Sequence, residues 1–133
     1  MPTCLYIEDD VLSQEVMTLL MVNVLGFKDL TIFEDSANLE ERLAQLPSVP
    51  DIFFVDIRMK PLNGFQILEV LRSHSKYQHA QIIALTASVM NEEVQLLRTS
   101  GFNGAIAKPI DSDTFPEALK RIMCGEEVWR IVS

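Results

Sequence analysis

The sequence predicts an α/β domain organised around a buried parallel sheet. Short apolar runs alternate with longer segments of helical period, which is the signature of strand, helix, strand units. The third and fourth runs are apolar without interruption, as expected of strands covered on both faces. A length of 133 residues, with 48% apolar and 23% charged side chains, supplies core material for one compact domain.

Five units can be counted. The strands are expected at Cys4 to Ile7, Leu30 to Phe33, Ile52 to Val55, Ile82 to Leu85 and Ala105 to Ala107. In the first helix Leu12, Val16, Leu19 and Leu20 fall on one face, and this stripe is expected to meet the sheet. The second stripe is Leu39, Leu43 and Leu46, and the third Ile67, Leu68 and Leu71. A fourth helix is expected from Val89 through Leu97, stopped by Gly101, and a fifth from Asp111 to Met123, with Pro116 in its first turn and Gly125 at its end. The spacing of Met17, Met21 and Leu25 puts them off the first helix's core stripe, where they either meet a partner or pack locally. Residues 125–133 form a tail after a domain at 1–124. Trp129, Val128, Ile131 and Val132 make this tail too apolar to be an idle solvated end, and packing on the domain or on a second copy are both open.

Composition excludes several classes. Eleven basic against 19 acidic residues give a formal charge of −8, the wrong sign for attraction to a phosphate backbone, so direct nucleic-acid binding is not expected. Cys4 and Cys124 lie near opposite ends in no metal-ligand spacing and read as reduced thiols. No apolar run reaches the roughly 20 residues of a membrane helix and the first residues lack a basic start, so membrane insertion is not expected and the location is read as cytoplasmic. His74 and His79 have no acid or cysteine at metal spacing and read as loop residues.

In an open parallel sheet the ligand site lies beyond the carboxyl ends of the strands. Strand one runs into Glu8, Asp9 and Asp10, strand three into Asp56, strand four into Thr86 and strand five into Lys108. Taken singly, each has a plain explanation: Asp10 or Ser13 caps a helix, Asp56 starts a turn, Thr86 caps helix four, Lys108 is a solvated tip. Capping alone does not call for an acid pair, a lone acid, a hydroxyl and an ammonium on one edge. Close carboxylates repel unless a cation joins them, and Mg²⁺ suits one or two carboxylates plus a phosphoryl oxygen. Asp56, alone at the end of the central strand, is the best nucleophile toward a phosphoryl group, with charge stabilised by the ion, Lys108 and Thr86.

These residues resemble the receiver domain of two-component response regulators over Thr3 to about Met123. The motifs are Glu8-Asp9 after strand one, Asp56 with Gly64 eight residues on, Leu85-Thr86-Ala87, and Ala107-Lys108-Pro109. The resemblance implies a single doubly wound (βα)5 flavodoxin-like domain with a five-stranded parallel sheet in the order 2-1-3-4-5. It implies that Asp56 accepts a phosphoryl group from a phosphohistidine on a sensor histidine kinase or a histidine phosphotransfer protein. Asp9 and Asp56 would bind Mg²⁺ directly, Glu8 through water, and the backbone carbonyl of Arg58 would add a ligand, while Thr86 and Lys108 would hold the phosphoryl oxygens. The Lys108-Pro109 bond would be cis. The output would be switched contact with a downstream protein rather than turnover, and a homodimer stays open.

The chain also departs from the family. Ala105 stands three positions before the lysine, where an aromatic is usual, so an inward-turning ring at that position is impossible. Met59-Lys60-Pro61 moves the loop proline by one position. Arg58 and Ser88 sit where side chains tune access of hydrolytic water. The expectation is a stand-alone receiver, since no output domain follows residue 133, with a fragment of a larger regulator or hybrid kinase as the related alternative. An aspartate-nucleophile phosphatase is the rival, but such enzymes carry a second aspartate where Arg58 stands. A pseudo-receiver would lack an acid or the lysine, and none is missing.

Overall fold

In the computed structural model, which describes residues 2–87 and 90–130, the strands are β1 (Cys4–Ile7), β2 (Leu30–Phe33), β3 (Ile52–Asp56), β4 (Gln81–Thr86), β5 (Gly104–Ala107) and β6 (Val128–Arg130). The helices are α1 (Val11–Thr18), α2 (Leu39–Ala44), α3 (Gly64–Ser73), α4 (Asn91–Ser100) and α5 (Phe115–Met123). All strand pairs are parallel, and the order is β2-β1-β3-β4-β5-β6. Strand alternation sends side chains to two layers. Leu5, Ile7, Phe53, Val55, Ile82 and Ala84 pack with Leu39, Leu43, Ile67, Leu68, Leu71 and Leu97 of α2, α3 and α4. Tyr6, Phe54, Ile83 and Leu85 pack with Met17, Leu20, Met21, Phe115, Leu119 and Ile122 on the other face.

The expected α/β class and the order of the first five strands hold, but the sheet has six strands, not five. The sixth comes from the tail: Val128 and Trp129 pair with Gly104 and Ala105. Gly104 permits this approach, because a Cβ there would lie 2.5 Å from the Val128 carbonyl oxygen. Val128 is buried, and Trp129 packs against the α2, α3 and α4 layer with its ring under the Arg98 guanidinium of α4, 4.8 Å from its centroid. The described part of the tail therefore packs on its own domain, while Ile131 and Val132 lie outside the described residues.

The first helix is rotated relative to the expected stripe. Met17 and Met21 are fully buried and Leu25 packs against the core, whereas Leu12 is 67% exposed and Leu19 53%. Val16 and Leu20 of the expected stripe do pack on the core, so the sheet-facing surface draws on both stripes and leaves out Leu12 and Leu19. After Thr18 the helix widens to a π-helical turn over Leu19–Val24, with the Leu25 amide donating to the Leu20 carbonyl and the Phe27 amide to the Met21 carbonyl. The wider turn keeps Leu20, Met21 and Phe27 on the sheet side while the spacing departs from 3.6.

Helix α5 starts at Phe115 rather than Asp111. The Asp111 side chain accepts from the Asp113 amide, and its carbonyl accepts from the Thr114 and Phe115 amides, so these residues form a turn before the helix. Helix α4 begins at Asn91, extends to Ser100 and ends at Gly101, whose φ of 111° suits only glycine. Val89 and Ser88 lie outside the described residues. The Lys108-Pro109 bond is cis as expected, and Lys60-Pro61 is cis as well. Among the described residues no helix is long and apolar enough to cross a membrane.

Candidate functional site

Parallel register places Ile7 beside Val55 and Asp56 beside Leu85, so the exits of β1, β3 and β4 lie side by side. The Lys108 amide donates to the Thr86 carbonyl at 2.9 Å, bringing the exit of β5 to the same edge. Glu8, Asp56 and Thr86 are buried there, and Asp9 is exposed. The loop after Asp56 is held from below. Ser36 Oγ donates to the Leu62 carbonyl and accepts from its amide, both at 2.7 Å, and the Ser36 amide donates to the Lys60 carbonyl. Gly64 closes the loop against β3, since a Cβ there would lie 2.8 Å from Ile57 Cα, and Asn63 with Gln66 makes a capping box on α3.

One ammonium ties the edge together. Lys108 Nζ lies 2.7 Å from Glu8 Oε1 and 3.0 Å from Asp56 Oδ2. Asp56 Oδ1 accepts from the Arg58 amide at 3.0 Å. Burial works against the Asp56 carboxylate, but hydrogen bonding with Glu8, the Arg58 amide and Lys108 outweighs it and holds its pKa below the ordinary value. Glu8 moves the other way: burial, then the shared contact with Asp56, push it up to about 7 against the pull of Lys108 and Tyr6. Burial also opposes the Lys108 charge, yet its two carboxylate partners raise its pKa.

Glu8, Asp9 and Asp56 each offer one carboxylate oxygen, and these three atoms lie within 4.8 Å of one another. Three acids with one bridging lysine leave an excess of negative charge, part of it in a buried carboxyl group. An all-oxygen donor set with one exposed member fits a hard divalent cation. Asp10, in contrast, belongs to the helix: its Oδ2 accepts from the Ser13 amide at 2.9 Å and the Ser13 hydroxyl at 2.6 Å. The structure thus brings together Glu8, Asp9, Asp56, Thr86 and Lys108. It puts the Arg58 side chain at the surface, with only its backbone at the site.

The profile described as the response regulator receiver domain matches residues 4–120. The chain belongs to that family. Over 111 residues the receiver is 31% identical to a nitrate/nitrite response regulator homologue of Haemophilus influenzae, a match covering 77% of this chain and 52% of that protein. It is 30% identical over 71 residues to the polar-differentiation response regulator DivK of Brucella ovis, covering 53% of this chain and 58% of that one. The chain spans about half the length of these curated relatives. Among solved structures, the chemotaxis response regulator CheY4 of Vibrio cholerae superposes with a TM-score of 0.80 at 20% identity, over 92% of this chain and 98% of that one. The receiver domain of a sensor histidine kinase from Pseudomonas aeruginosa, solved with magnesium in its active-site cleft, gives 0.75 at 23% identity over 90% and 95%. These structural likenesses carry the fold. The receiver identity places the domain in two-component signalling.

Sequence reasoning passed over two residues of the receiver's site. Ser36 gave no signal, because its role is to bind the backbone of a loop 26 residues away. Tyr6 did give one: it is two positions before Glu8 on a strand, so both side chains leave on the same face.

Proposed function

We propose that this receiver captures a phosphoryl group on Asp56 from a phosphohistidine, on a sensor histidine kinase or a histidine phosphotransfer protein, with Mg²⁺ in the cluster of Glu8, Asp9 and Asp56. The observation that carries the reading is the Lys108 ammonium bridging Glu8 and Asp56 beside an acid cluster of metal-binding dimensions. When bound, the ion offsets the charge of the carboxylates and of the incoming phosphoryl oxygens. Asp9 and Asp56 would ligate it directly, Glu8 through water, and the Arg58 carbonyl would add a ligand.

An Asp56 carboxylate oxygen attacks phosphorus as the P–N bond to the donor imidazole breaks, and the imidazole leaves neutral because its other ring nitrogen already carries a proton in the phosphorylated donor. The low pKa of Asp56 keeps it ionised for this attack. Lys108, held within 3.0 Å of Asp56, neutralises the developing oxygen charge, and the Thr86 hydroxyl takes another phosphoryl oxygen. The result is an acyl phosphate that alters contact with a downstream protein, a relay rather than a turnover reaction. Ala105 is buried beside Trp129, so the output does not depend on an aromatic ring turning at position 105. The donor's helices would approach over Val11, Leu12 and Leu19, the exposed apolar strip of the first helix.

Acetyl phosphate supplies the direct test. With Mg²⁺ the wild type is expected to incorporate phosphate and Asp56→Asn to incorporate none; labelling retained in the variant removes Asp56 as nucleophile.

A further inference from the structure

Glu8 is fully buried, and a buried carboxylate must find donors for its lone pairs. Oε1 has two: the Lys108 ammonium and the Tyr6 hydroxyl, each at 2.7 Å. Oε2 receives the Asp10 amide, at 3.3 Å, and the carboxyl group also meets Asp56. The two oxygens are therefore held unequally: two side-chain donors fix Oε1, and one long backbone bond reaches Oε2. The Glu8 backbone is fixed as well, its carbonyl accepting from Gln14 Nε2 at 2.7 Å and its amide donating to the Phe33 carbonyl.

Of the two donors on Oε1, Lys108 is shared with Asp56 and is the group that a phosphoryl oxygen would draw away. The Tyr6 hydroxyl is not shared. Its ring is fully buried in the layer under α1 and α5, among Met17, Met21 and Phe54, with no room to leave. A glutamate is one methylene longer than an aspartate, and that length lets it reach back along β1 to the hydroxyl two residues before it.

We propose that Tyr6 is a positioning residue for the metal cluster: through its hydrogen bond to Oε1 it fixes the Glu8 carboxylate with Oε2 available to the cation, whether or not Lys108 is engaged. This rests on the phosphotransfer reading and adds a residue to it. The ring itself packs the core, so Tyr6→Phe keeps that packing and removes only the donor.

Titration calorimetry with Mg²⁺ alone tests it. Tyr6→Phe is expected to weaken Mg²⁺ binding about tenfold, the scale on which partners of metal ligands act. The Mg²⁺ concentration for half-maximal labelling by acetyl phosphate should rise in parallel, while the rate at saturating Mg²⁺ stays near wild type. In a Glu8→Gln background, Tyr6→Phe should have no further effect on Mg²⁺ affinity. A Tyr6→Phe chain that melts earlier yet binds Mg²⁺ like the wild type overturns the proposal, as do additive losses in the double variant. A wild type that shows no Mg²⁺ response overturns the phosphotransfer reading itself, and the positioning role with it.

Discussion

The sheet has two edges that are built by opposite means. At the carboxyl edge, Glu8, Asp9, Asp56 and Lys108 meet through their side chains, and charge decides the arrangement. At the lateral edge, β6 joins β5 through main-chain bonds that exist because Gly104 has no side chain. The first edge holds together by attraction between groups that would otherwise repel or suffer burial. The second holds because nothing stands in the way, with Val128 and Trp129 supplying the apolar cover. If the two are separate devices, damage to one should leave the other intact.

The largest effect is expected at the carboxyl edge. Lys108→Met strands Glu8 and Asp56 without their shared cation and should cost about 3 kcal/mol of stability in metal-free buffer, as removal of one member of a buried ion pair does. Added Mg²⁺ should recover part of that loss, which thermal melts with and without the ion would show. Equal losses in both buffers would mean that charge does not govern this edge. At the lateral edge Gly104→Val drives a side chain into the Val128 backbone and should cost about 2 kcal/mol. Hydrogen exchange at the β5 and β6 amides should rise while labelling at Asp56 stays within twofold; a collapse of labelling would join the two edges into one unit. Arg98→Ala removes only the exposed guanidinium over Trp129 and should cost about 0.5 kcal/mol, measured by chemical denaturation.

The same contrast explains what could be read from the residues alone. The first five strands and the acid cluster were legible because polar residues followed apolar runs at four strand ends, and position on an α/β sheet turns that pattern into a place. β6 was not legible. Three residues at the end of a chain carry no periodicity, and the signal for them is a missing Cβ at Gly104. Helix α1 misled for another reason: Leu12 and Leu19 are as apolar as Met17 and Met21, and the π-helical turn at Leu19–Val24 breaks the spacing on which the choice of face depended. Asp10 follows the acid pair but serves as the helix cap that its position suggested, its carboxylate accepting from the Ser13 amide. The Tyr6 bond to Glu8 lay within reach of strand alternation, but a tyrosine in an apolar run reads first as core, and here it serves both purposes.

Trp129 is the chain's sole tryptophan, and it sits on the last described strand beside Ala105 and under Arg98. Its indole emission therefore comes from one place in the molecule, the seam between β5, β6 and α4. A fluorimeter can follow that seam without any dye or tag, and separation of the tail from the sheet would register as a red shift in water.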